Sequence, residues 1–115
     1  MLDRLLGFAV SGSQVALECS RKPMGGHFAD QLIRSCTAPA AHRAEAIDAE
    51  SRRDFIHKMK LAVKELRESL VWLQIIEQLG LVKGEQLNTT AAEGNELIAI
   101  IVASITKARC HGQAH

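Results

Sequence analysis

The sequence predicts an all-α protein, an antiparallel up-and-down four-helix bundle formed by a single domain over residues 1–115. Apolar residues recur at spacings of three and four over long stretches, no β alternation of useful length appears, and the clearest breaks are short. A chain of 115 residues suits one core and is too short for two ordinary domains. Its 47% apolar and 23% charged residues give the balance of a globular chain.

The first helix is expected over residues 1–20, closed by the Arg21-Lys22-Pro23-Met24-Gly25-Gly26 turn. Its apolar stripe reads Leu2, Leu6, Ala9, Ser13, Ala16 and Leu17, and Gly7 and Gly12, each costing about 1 kcal/mol relative to alanine, mark it as the least stable of the four. The second, over 27–47, places Phe28, Leu32, Ser35, Pro39, His42 and Ala46 on one side, a face of mostly small residues that lets a neighbour approach closely. Pro39 removes an amide donor and is expected to kink or break it.

Ser51 followed by Asp54 reads as a variant capping box, so the third helix starts there and runs to Gly80, a C-terminal cap. Its stripe is Phe55, Met59, Ala62, Val63, Leu66, Leu70 and Leu73. The fourth, over 85–108, carries Leu87, Ala91, Gly94, Ile98, Ile101 and Ile105, and residues 109–115 read as a polar, frayed tail. The sequence shows no internal repeat and no low-complexity segment.

Composition narrows the function classes. Aromatic residues make up 3% with no tyrosine, which disfavours an RNA surface built on stacked rings, and a net charge of +1 leaves any polyanion contact to local clustering. Cys19, Cys36 and Cys110 have neither disulfide nor zinc spacing, the short apolar run near the N-terminus lacks signal-peptide flanks, and no stretch of about 18 apolar residues exists. A cytoplasmic protein with no membrane partner is the expectation.

The outer side of the third helix changes character along its length. Arg53, His57, Lys60, Lys64 and Arg67 form a basic row of roughly 21 Å at 1.5 Å per residue. Beyond it Val71, Trp72, Ile75 and Leu79 make the last turns apolar almost all round, as a subunit interface requires. The plainer alternatives are a solvated charged face, and a Trp72 and Ile75 covered by the first helix or by Leu81 and Val82.

Between Gln31 and Leu81 the segments Gln31-Leu32-Ile33-Arg34-Ser35, Glu45-Ala46, Glu50-Ser51-Arg52-Arg53-Asp54-Phe55-Ile56-His57-Lys58, Lys64-Glu65 with Glu68, and Trp72-Leu73 occur in a characteristic order. In this order the chain resembles the bacterial four-helix-bundle proteins encoded in intervening sequences of large-subunit ribosomal RNA genes. With the weaker Glu93 to Ile101 stretch the resemblance spans roughly two-thirds of the chain. It implies an antiparallel bundle, self-assembly into a five-membered ring as in characterised relatives, and no demonstrated catalysis. A similar protein accompanies reverse transcriptases in diversity-generating retroelements as a basic oligomeric adaptor. His42 stands where an asparagine is common in the family, with Pro39 shortly before it.

Residue chemistry offers little for catalysis. A carboxylate-bridged metal pair needs two Glu-x-x-His motifs and two further glutamates, and the chain has only Asp54 with His57 at that type of spacing. Glu45, Glu65, Glu68, Glu93 and Glu96 read as solvated or ion-paired, with Lys64 and Glu68 spaced for a pair. His42 and Glu45 are expected as a structural hydrogen-bonded pair rather than an acid–base dyad, and Cys19 and Cys36 as packed thiols. No catalytic residue, cofactor or metal is therefore expected. The functional expectation is a homo-oligomeric scaffold or adaptor. Association of the basic row with nucleic acid, or with a nucleic-acid-processing protein, is the alternative.

Overall fold

The computed structural model describes residues 1–113, with α1 at Leu2–Ser20, α2 at Gly25–Ile47, α3 at Arg52–Gln78 and α4 at Glu85–Gln113. Consecutive helices are neighbours, with α1 meeting α4 along the thinnest contact, and the bundle measures 55 × 20 × 20 Å. This is the up-and-down arrangement that short connections enforce.

Each boundary has a local cause. The Ser51 hydroxyl accepts a 3.0 Å hydrogen bond from the Asp54 amide, which caps α3 as the sequence indicates. At the other end Gly80, at φ +71°, lets its amide reach the Glu77 carbonyl while Leu81 reaches Ile76, a Schellman closure. α2 starts two residues before the expected 27. Met24 turns the chain at φ 68°, and Gly25 packs so tightly on the Cys19 carbonyl that no Cβ fits there.

Three expectations need correction. α1 does not bury the Leu2, Leu6, Ala9, Ser13, Ala16 and Leu17 stripe. Its core side is Leu5, Phe8, Gly12, Val15, Ala16 and Cys19, while Leu6 and Leu17 face outward. α2 is one continuous helix through Pro39. The proline removes the amide that the Ser35 carbonyl would accept, and complete burial of its ring in the core offsets that loss. α4 continues through residues 109–113, where Arg109 and His111, with Lys107 just before them, suit the negative helix end and outweigh one glycine. Ala114 and His115, the end of the expected tail, lie outside the described residues.

The core has few large rings and many small side chains. Leu32, Met59, Leu66, Leu73, Ile76, Leu97 and Ile101 fill it together with Phe8, and helices close on one another at Gly12, Gly94, Ser35 and Ser69. Ser35 and Ser69, both fully buried on facing helices, place their hydroxyls 3.0 Å apart. Each also reaches a carbonyl one turn back in its own helix at 3.0 Å, so neither hydroxyl is left unpaired. Buried Thr90 of α4 meets Ser11 of α1 and bonds the Gln86 carbonyl at 2.7 Å.

A Cβ at Gly12 would lie 2.8 Å from the Cys36 Sγ and 2.9 Å from the Cys36 Cβ, whereas one at Gly7 meets nothing within 4 Å. The same substitution should therefore have opposite signs at two positions five residues apart on α1. Gly7→Ala is expected to stabilise by about 0.5–1 kcal/mol through helix propensity, and Gly12→Ala to destabilise by about 1–3 kcal/mol through overpacking, as urea unfolding will measure. Burial also pushes the Cys19 and Cys36 thiols up from their ordinary value, while Cys110 is exposed. A raised pKa leaves less thiolate at neutral pH. One thiol per chain should react with Ellman's reagent in the native protein, and all three in denaturant.

Candidate functional site

The basic row forms as the α3 periodicity dictates: Arg53, His57, Lys60, Lys64 and Arg67 are all exposed along one side of the helix. Three of them border a groove. Lys60, Lys64 and Arg67 of α3 face Arg109 of α4 across a floor containing Val63, Val102 and Ile105, enclosing about 400 Å³. Among the described residues, no acid lies within ion-pair distance of these four cations. Arg109 belongs to this site and escaped the sequence reading, because a helix ending at 108 placed it in the tail. The absence of any acid from Leu97 to Arg109 was the available signal.

Glu65 and Glu68, the acids interleaved with the second half of the row, are held elsewhere. Glu65 is bound by Arg34 of α2 at 3.1 Å, and Glu68 is bound by Arg34 and by the Trp72 indole N–H, at 3.2 Å for the latter. The expected Lys64–Glu68 pair is thus replaced by a contact across two helices, and Lys64 stays exposed. At the α1–α4 seam Arg4 bonds Glu93 at 2.6 and 3.0 Å and approaches Glu96 at 3.0 Å, which raises the guanidinium above its already high basicity.

The apolar end of α3 is divided. Val71 and Leu79 are 53% and 55% exposed, whereas Trp72 and Ile75 are half-buried. Trp72 lies against α2, with its ring centroid 5.9 Å from His27 and 6.2 Å from Phe28. Part of its cover therefore comes from within the chain, from the start of α2.

A second apolar face sits where the sequence reading had placed core. On the outward side of α1, Leu6, Val10 and Leu17 are 48%, 58% and 55% exposed. Val10 and Leu17 line a shallow, almost wholly apolar depression with Ala9, Ser13, Gln14 and Thr37 of α2. α1 carries apolar residues on two opposite sides, and hydropathy alone does not rank them. Both sides repeat at spacings of three and four, so periodicity does not separate them either.

The residues weighed for chemistry do not converge. His42 Nδ1 stands 3.7 Å from Glu45, beyond hydrogen-bond range, and has no other partner, so the expected hydrogen-bonded pair does not form. Lys58 takes Glu45 instead at 3.0 Å and holds its carboxyl below the ordinary range, with a smaller contribution from His42. Among the described residues, no three His, Cys, Asp or Glu side chains are grouped to hold a metal ion, and no helix is long and apolar enough to cross a membrane.

A crystal structure of a protein of unknown function from the S23 ribosomal protein family of Bacteroides thetaiotaomicron superposes with a TM-score of 0.85 at 28% identity. The match covers 90% of this chain and 96% of that one. No curated protein sequence matches. The model of the 23S rRNA-intervening sequence protein family matches residues 18–103, from the last turn of α1 through most of α4. With two of its four helices wholly inside that match, most of a third, and a solved neighbour of the same shape, the chain belongs to the 23S rRNA-intervening sequence protein family.

Proposed function

We propose that the protein is a non-catalytic scaffold or adaptor that works as an assembly of identical subunits. One observation carries this reading: Leu6, Val10 and Leu17 of α1 form an apolar stripe on the outside of a bundle whose core is complete without them. Contiguous exposed apolar surface of this kind marks an interaction site. Val71 and Leu79 of α3 add a second apolar area, beside Trp72 and Ile75. The family resemblance favours a ring of five.

Light scattering at micromolar concentration should return a multiple of the 12.6 kDa chain mass, and Val10→Glu should reduce it to a single chain, because the interface would have to desolvate an unpaired carboxylate. Val10 touches solvent in the isolated bundle, so helical circular dichroism should be unchanged. A monomeric wild-type protein overturns the reading.

The exposed basic row favours a second reading, in which the protein binds nucleic acid or a nucleic-acid-processing partner. Five cationic or titratable side chains repeated around a ring would multiply weak phosphate contacts. Affinity for RNA should then fall steeply with salt, and Lys60→Ala with Lys64→Ala should flatten that dependence while the fold is kept. No binding at low ionic strength, where attraction is strongest, removes this second reading.

A further inference from the structure

We propose that copies of this chain join head to tail, with the outward face of α1 in one copy seated against the α3–α4 groove of the next. The inference rests on the homo-oligomer reading and names the two surfaces that meet. α1 and α3 occupy opposite corners of the bundle section, so the outer side of α1 and the groove point away from each other and cannot cover one another within one chain.

Their chemistry is complementary. The α1 stripe is flanked by exposed Asp3 and Glu18, neither of them ion-paired among the described residues. The only base in α1 is Arg4, already engaged by Glu93 and Glu96. The groove reverses these signs, with an aliphatic floor under a rim of Lys60, Lys64, Arg67 and Arg109. Val10 to Leu17 on α1 spans two helical turns, about 10 Å, and the groove's walls from Lys60 to Arg67 and from Val102 to Arg109 have the same length. A side of a bundle measuring 55 × 20 Å is large enough for the roughly 800 Å² per partner of a standard interface.

Other pairings fit less well. Two α1 faces together would oppose Asp3 and Glu18 to their own copies, and two grooves together would oppose four cations to four. Nucleic acid would satisfy the rim, but the groove's lining residues include no aromatic ring for a base to stack on, and the apolar floor would stay uncovered. A contact between two different faces is heterologous, and repetition of it closes into a ring or extends into a filament.

A mixing experiment decides. Val10→Glu with Leu17→Glu disables the α1 face, and Lys60→Glu with Lys64→Glu disables the groove; all four side chains are exposed, and circular dichroism checks that each variant folds. Each variant alone should weigh about one 12.6 kDa chain, and an equimolar mixture should form a dimer and nothing larger, since one functional contact remains. Either variant assembling alone like wild type overturns the proposal, as does a mixture that stays monomeric while wild type assembles. RNA bound at the Lys60–Arg67 rim of an intact assembly overturns it as well. A monomeric wild type instead defeats the homo-oligomer reading on which it rests. If a double variant fails to fold, the charge exchange Glu18→Lys with Lys64→Glu takes its place. Each single change should weaken assembly at low salt and the pair in one chain should restore it; a pair no stronger than the singles overturns the pairing.

Discussion

Close approach of helix backbones is the constraint on which the rest of this structure depends. With 3% aromatic residues, the chain cannot fill wide gaps between helices with rings, and it brings the helices together at residues with little or no side chain. Gly12 admits Cys36, Gly94 admits the Phe8 ring edge and Leu70, and paired serines join α2 to α3. A dense core costs such a chain freedom to substitute at these positions. It also leaves larger apolar residues such as Leu6, Val10 and Leu17 over for the outside.

The same spacing sorts the charges. Once α2 and α3 are close, Arg34 can span to both Glu65 and Glu68, and α1 against α4 lets Arg4 take Glu93 and Glu96. These pairs are partly exposed and each adds little to stability. Their larger effect is on what remains: by withdrawing acids from the outer surface of α3, they leave a cationic groove on a nearly neutral chain. Local charge, rather than the overall balance, then determines what the surface attracts.

Most of the architecture was legible because its signals are local. The Ser51 cap, the Gly80 closure and the three-four periodicity of α3 and α4 each depend on a few neighbouring residues. Three features depended on tertiary context. α1 has two apolar sides, and only its neighbours decide that Leu5 and Phe8 go inward. Pro39 is tolerated because the core holds its ring, which no local propensity registers. Trp72 was legible as special but not as divided, since its cover comes from His27 and Phe28, distant in sequence. The exposure of the basic row follows from the α3 periodicity alone, while the groove's fourth rim residue, Arg109, required knowing that α4 continues past residue 108.

The unequal helix lengths have a consequence of their own. α1 has 19 residues and α4 has 29, and Arg4 near the start of α1 is level with Glu93 and Glu96. The antiparallel run of α4 from Leu97 onward therefore extends past the beginning of α1. The molecule is four helices thick through its middle and thinner at the end where α3 begins and α4 finishes. Local opening starts where fewest layers must separate, so amide hydrogens should exchange along a gradient, fastest at that thin end and slowest around Leu66, Leu73 and Phe8.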